Sequence, residues 1–177
     1  ILDEPHRLTS PKFDHSHKFE YRLIAKNEIN DVLNKAQVDV RLPKKTYDYL
    51  IKRYFENPKY EYKCYKVSIS SSKEASLLIT REVVYDDAKA LRIIDFIGDI
   101  EILSYLSQWA ALEMKIYNYE YVDLLSSGID KEILMKSGFN KQQSTSDVII
   151  PTYFEPFIRE NIDIYYEKSA EDMILFK

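Results

Sequence analysis

"LRIIDFIGDIEIL", Leu91 to Leu103, is the stretch whose reading decides the fold. It runs as an apolar strand to Ile97, passes Gly98 and continues as a helix that opens on Asp99 and Ile100. Arg92 and Asp95 interrupt the strand, and an odd offset along a pleated strand predicts that they point to opposite faces. Asp95 then shares its face with Leu91, Ile93 and Ile97, an isolated carboxylate among apolar neighbours. A glycine between strand and helix either cradles a phosphate on backbone N–H groups or merely turns the chain. Asp99 beside it suits a helix start, where a carboxylate caps free amides and answers the dipole.

Working upstream, "YEYKCYKVSIS" (60–70) and "ASLLITREVVY" (75–85) are strand signals joined by a polar turn, and "DDAK" leads from the second into 90–98. Connections this short predict an antiparallel meander. Further back, "FEYRLIAK" (19–26) alternates as a strand. Asn27 is then placed to cap a helix carrying Ile29, Val32 and Leu33 on its inner side. Tyr47, Leu50, Ile51 and Tyr54 recur at helical spacing between 44 and 56, and Asn57-Pro58 stops that helix. Downstream, Ile100, Leu103, Leu106 and Ala110 form one helical stripe, widened by Trp109, Met114 and Tyr117. A strand "YEYVDLLSSG", a short helix "DKEILMKSGF" and two strand-like stretches, "SDVIIPTYF" and "IDIYYEKS", complete the chain. The order β-α-α-β-β-β-α-β-α-β-β predicts an α+β fold, a mixed, mostly antiparallel sheet flanked by helices.

The bulk figures bound the function. A chain of 177 residues, 45% hydrophobic and 31% charged, supports one domain with a real core. Residues 1–18 hold all three histidines and no hydrophobic period, so they read as a flexible arm, with the domain over 19–177. A net charge of −4 gives no electrostatic argument for nucleic acid. No apolar run approaches the roughly 18 residues of a membrane span. Cys64 is alone, which excludes an internal disulfide or a four-cysteine zinc site and fits a reducing cytoplasm. No metal site is expected, since Asp14, His15 and His17 stand in the arm. The chain opens on Ile1 rather than Met, so an upstream segment or domain is expected; a second copy of the chain is the other macromolecular partner considered.

Element order and local sequence together resemble the GNAT acyltransferase superfamily over about residues 19–170. "RIIDFIGDIEIL" falls where that family binds the acyl-CoA pyrophosphate, and "ILMKSGF" (133–139) resembles its short helix ending in Gly-Phe. More narrowly, "LRIIDFIGD", "YEYVDLLSSGI" and "IIPTYFEPF" look like GNAT-type proteins encoded among bacterial surface-polysaccharide genes. The resemblance implies acetyl-CoA or another acyl-CoA as cofactor, held by amides of Gly98, Asp99 and Ile100. It also implies an amine acceptor, as a small molecule or a nucleotide sugar. Two departures stand beside it. The family loop reads Arg/Gln-x-x-Gly-x-Gly/Ala, whereas here one glycine is followed by an acidic residue; and Leu134 occupies the position where many members place a thiolate-protonating tyrosine. They favour an alternative, a GNAT-like binding or pairing module that has lost its cofactor.

Residue chemistry supplies the remaining candidates. An unpaired Asp95 among apolar groups suits a general base for an amine; held by Arg81 or Arg92 it is structural. Asp123 poses the same choice on the next strand, where it shares a face with Tyr121. With the splay that GNAT sheets show between their fourth and fifth strands, Asp95 and Asp123 flank one crevice as base and orienter. Tyr153 and Glu155, in a proline-bounded aromatic loop, suit a sugar platform or a hydrophobic plug. Cys64, with no histidine near it in sequence, reads as inert core.

Overall fold

The computed structural model of the chain describes residues 18–36, 45–70, 72, 74–126, 128–141, 149–150 and 160–161. By compactness the chain divides into two units, Ile1–Phe139 and Asn140–Lys177. In the second, the N–H of Ile150 donates to Asn161 Oδ1 at 3.2 Å. Every described helix and strand lies in the first. Of the two C-terminal strand-like stretches expected from the sequence, all but Ile149 and Ile150 lie outside the described residues, as does most of the N-terminal arm.

Five strands form one sheet in the order β1 (Phe19–Leu23), β2 (Lys63–Ile69), β3 (Ser76–Tyr85), β4 (Ala88–Ile97), β5 (Tyr121–Leu124). The first three pairings are antiparallel, β2–β3 and β3–β4 through short connections and β1–β2 across the helix-bearing segment between them, and β5 joins β4 in parallel after a helical crossover. Asp86, at φ 52° in the two-residue β3–β4 turn, takes the left-handed conformation that aspartate tolerates.

Helices cover both faces. On one face lie α1 (Ile29–Leu33) and α2 (Tyr47–Leu50), the latter continuing as a wide π-type turn over Ile51–Phe55. Ile29, Val32, Leu50, Ile51 and Tyr54 pack there on Cys64, Leu77, Ile79 and Ile97. Thr46 caps α2 by accepting the N–H of Tyr49 at 3.2 Å. Asn57 terminates the turn as expected: its Oδ1 accepts the N–H groups of Lys59 and Tyr60, and its Nδ2 donates to the Arg53 carbonyl. On the other face, a 3₁₀ segment (Ile100–Tyr105) runs into α3 (Leu106–Tyr117), and α4 (Lys131–Lys136) follows β5. Ile102, Leu103, Leu106 and the fully buried Trp109 pack on Tyr65, Val67, Leu78, Leu91 and Ile93. Each such aliphatic side chain contributes about 1.5–3 kcal/mol of burial.

Two local readings change. Asn27 does not cap a helix; it sits inside a 3₁₀ turn over Lys26–Glu28, where the Glu28 carboxylate accepts the Ala25 N–H at 3.1 Å. Ile100 is exposed and Ile102 buried, because the three-residue repeat of the 3₁₀ start rotates the stripe before α3 takes over. Glu113, on the α3 stripe, is buried and accepts the Tyr65 hydroxyl at 3.1 Å. The Gly-Phe ending of α4 has a direct cause. Gly138 at φ +82° lets the Phe139 N–H reach the Leu134 carbonyl and the Gly138 N–H reach Met135, a Schellman cap that turns Phe139 onto the core. Ser137 ties α4 to the 3₁₀ segment through the Leu103 carbonyl.

Candidate functional site

The site begins with an irregularity in β4. Ile79 pairs with Asp95 but Thr80 pairs with Ile93, so Ile94 is an extra residue, a β-bulge. Parity reverses across it. Leu91 and Ile93 face α3, whereas Ile94 and Ile97 face α1 and α2. Asp95, opposite Ile79, joins the second set. The expectation that Asp95 shares a face with Leu91 and Ile93, and points away from Arg92, is therefore corrected: alternation holds only along an unbroken ladder, and both side chains lie on the α1–α2 face.

The bulge is also where the sheet opens. Ala90 to Ile93 pair with Tyr121 to Leu124. Past Ile93, β4 keeps β3 as its partner, and among the described residues it has no β5 partner. Asp123 stands in register with Arg92. Asp95 and Asp123 thus occupy the same face, one on each strand, around the point of divergence.

Both carboxylates have partners. Asp95 Oδ1 accepts from Lys45 Nζ at 2.5 Å and from the Phe96 N–H at 2.9 Å, while Oδ2 accepts from the Tyr54 hydroxyl at 2.6 Å. Asp123 Oδ2 accepts from Arg92 Nε at 3.1 Å, with the Arg92 side chain 0% and the Asp123 side chain 7% exposed. Asp95 is thus held by a cation, but by Lys45, and Arg92 pairs with Asp123. Lys45 and Tyr54 are the site residues that sequence reasoning missed. Tyr54 was legible as an inward helical position; nothing in the local pattern marked Lys45, 50 residues from Asp95.

Burial, with the charge of Asp95 behind it, drives the Tyr54 phenol far above its ordinary pKa, so Tyr54 acts as a hydrogen donor. Tyr121 is raised by burial and next by Asp123. Cys64 is buried beneath the same face, and burial followed by Asp95 pushes its thiol up to about 12, in keeping with a core thiol. Tyr60 and Tyr62 pack edge-on along this face, with Arg81 4.1 Å over the Tyr60 ring.

Gly98, at φ +137°, leads from β4 into the 3₁₀ segment. A Cβ there would lie 2.1 Å from Ser76 Oγ and 2.9 Å from Ser76 Cα, so the glycine is required by the close approach of β3. The Asp99 N–H donates to Ser76 Oγ at 3.1 Å, and the Asp99 carboxylate accepts the Glu101 N–H at 3.0 Å as the helix cap. Of the three amides assigned to a pyrophosphate, that of Asp99 is already drawn to Ser76. Among the described residues the β4 edge past Ile93 carries no further strand, and an extended arm bearing amides, such as that of acyl-CoA, matches such an edge as peptides do when they add to a sheet. The groups that would hold the cofactor are the β4 edge past Ile93 and the Gly98 and Ile100 amides, the Phe96 N–H being already drawn to Asp95.

Tyr153 and Glu155 lie outside the described residues. Among the described residues, no three His, Cys, Asp or Glu side chains gather as a metal site, and no helix is long and apolar enough to cross a membrane. A hollow of about 430 Å³ runs along β1 and β2, lined by Lys18, Glu20, Arg22, Lys66 and Ser68, two strands from β4.

No protein-family model matches the chain, and no curated protein does. Among solved structures, an acetyltransferase from Trypanosoma brucei superposes with a TM-score of 0.50 at 10% identity, over 75% of this chain and 100% of that one. A GNAT family acetyltransferase from Staphylococcus aureus gives 0.48 at 16% identity, over 75% and 98%. A predicted acetyltransferase from Clostridium acetobutylicum, with acetyl-CoA, gives 0.48 at 13%, over 74% and 96%. What is shared with the Trypanosoma brucei acetyltransferase at this identity is the architecture: a mixed sheet, five-stranded among the described residues, flanked by helices.

Proposed function

We propose that the chain is an acyltransferase that moves an acetyl or other acyl group from acyl-CoA to the amine of a small molecule. The observation that carries this reading is the parting of β4 from β5 at the Ile94 bulge, with Asp95 and Asp123 on one face around it. Bound acyl-CoA supplies an activated thioester carbonyl. Asp95 takes the proton of the acceptor ammonium, Tyr54 keeps the Asp95 carboxylate oriented through Oδ2, and Asp123, fixed by Arg92, orients the acceptor. Transfer is direct, with no covalent enzyme intermediate, in line with a Cys64 thiol held protonated. An amino sugar destined for bacterial surface polysaccharide suits the sequence resemblance, with Tyr153 and Glu155 contacting it and the reaction running in the cytoplasm.

A second reading is favoured by Gly98. Its glycine is explained by Ser76 alone, and Asp99 brings a negative charge to the loop, which suits a GNAT-fold binding module that has lost the cofactor. Thermal unfolding with and without millimolar CoA and acetyl-CoA separates the two. Stabilisation by mass action supports the enzyme; an unchanged midpoint with both ligands removes it in favour of the module.

A further inference from the structure

Lys45 holds its ammonium where the proposed reaction needs an acceptor amine. Its Nζ lies 2.5 Å from Asp95 Oδ1, and the two side chains are 21% and 11% exposed. The Thr46 cap fixes the backbone immediately after it. Tyr54 and the Phe96 N–H occupy other directions on the same carboxylate. Asp95 is the second residue past the last β4–β5 pair, so the lysine nitrogen sits on a carboxylate just beyond the end of that pairing.

We propose that Lys45 is itself an acyl acceptor, a site of Nε-acylation within the chain; this rests on the acyltransferase reading of the same crevice. Asp95 receives one proton from the Lys45 ammonium. The freed amine attacks the thioester carbonyl of acyl-CoA; a C–N bond forms, the C–S bond breaks, and the departing thiolate takes the second proton from nitrogen and leaves as the thiol. The product is an uncharged Nε-acyl-lysine that no longer pairs with Asp95. Once Asp95 releases that proton to solvent, its carboxylate is free for an incoming small-molecule amine.

The test is peptide mapping by mass spectrometry after incubating the full chain with acetyl-CoA, alongside thermal unfolding with CoA. The expected result is acetyl occupancy at Lys45 several-fold above that at Lys18, whose side chain is 79% exposed. Asp95→Asn lowers the Lys45 label by about 10²-fold, the low end for a general base, and Lys45→Arg removes it while keeping a cation on Asp95. Non-specific chemistry follows exposure, so labelling of Lys18 ahead of Lys45 overturns the proposal. That comparison is made within the wild-type chain and does not depend on either variant folding. Stabilisation by CoA with Lys45 unlabelled removes this inference alone; neither stabilisation nor label removes the acyltransferase reading with it.

Discussion

The two charge pairs of β4, Arg92–Asp123 upstream of the bulge and Lys45–Asp95 just beyond it, use similar groups in different surroundings. Arg92 and Asp123 face each other across paired strands, sealed from water. Lys45 reaches Asp95 from the entry of α2, where the sheet has opened and both side chains keep some exposure. Losing one partner upstream strands a charge in the interior. Downstream, Asp95 keeps a phenol and a backbone N–H whichever cation is present. The upstream pair ties two strands together, whereas the downstream carboxylate holds two further donors beside its cation.

The sharpest way to break this contrast is to remove one partner from each pair. Asp123→Leu removes the carboxylate facing the buried Arg92 guanidinium and is expected to cost about 3–5 kcal/mol in urea unfolding. Asp95→Asn keeps most of its donors paired and is expected to cost about 1–2 kcal/mol. Equal losses would erase the distinction.

Next comes the hinge between the crevice and the crossover. Gly98→Ala drives a Cβ into Ser76 at positive φ, and a loss of about 3 kcal/mol is expected. Adding Ser76→Gly should recover only part of it, because Ser76 Cα is itself 2.9 Å away. Full recovery in the double variant would show that backbone conformation costs nothing there. A smaller effect is expected from Tyr54→Phe, which deletes one hydrogen bond to Asp95 for about 1–2 kcal/mol.

The smallest effect lies on the opposite face and depends on pH. Glu113 is buried against Tyr65, whose hydroxyl donates to it at 3.1 Å, and burial raises its pKa above the ordinary 4.5. A carboxyl raised on folding holds its proton better in the folded state, so stability falls as pH climbs through the window above 4.5. Glu113→Gln should therefore raise the melting temperature at pH 7 by a few degrees, on the scale of about 2–4 °C per kcal/mol for a chain this size. The advantage should vanish below pH 4.5. An advantage that persisted in acid would place its origin in packing.

Much of this was written in local pattern. Period-two runs joined by short polar turns determined the meander; the 3.6-residue stripe through Leu103, Leu106 and Trp109 determined the crossover helix; Gly98 marked the passage between them. Asn57 and the Gly138-Phe139 stop worked as read, because caps and stops act within a few residues. The Asp123 face followed from alternation, since β5 is regular. The tertiary structure decided the rest. A bulge at Ile94 leaves no mark in hydrophobic periodicity, because apolar residues occupy both faces of a strand covered on both sides. One inserted residue there turned Asp95 to the α1–α2 layer. The choice of Lys45 rather than Arg81 or Arg92 as its cation was set by packing α2 against the sheet across 50 residues. The need for glycine at 98 was set in the same way, by Ser76 on the neighbouring strand. Sequence alone determined which elements form and in what order; which charges meet was settled only when those elements closed on one another.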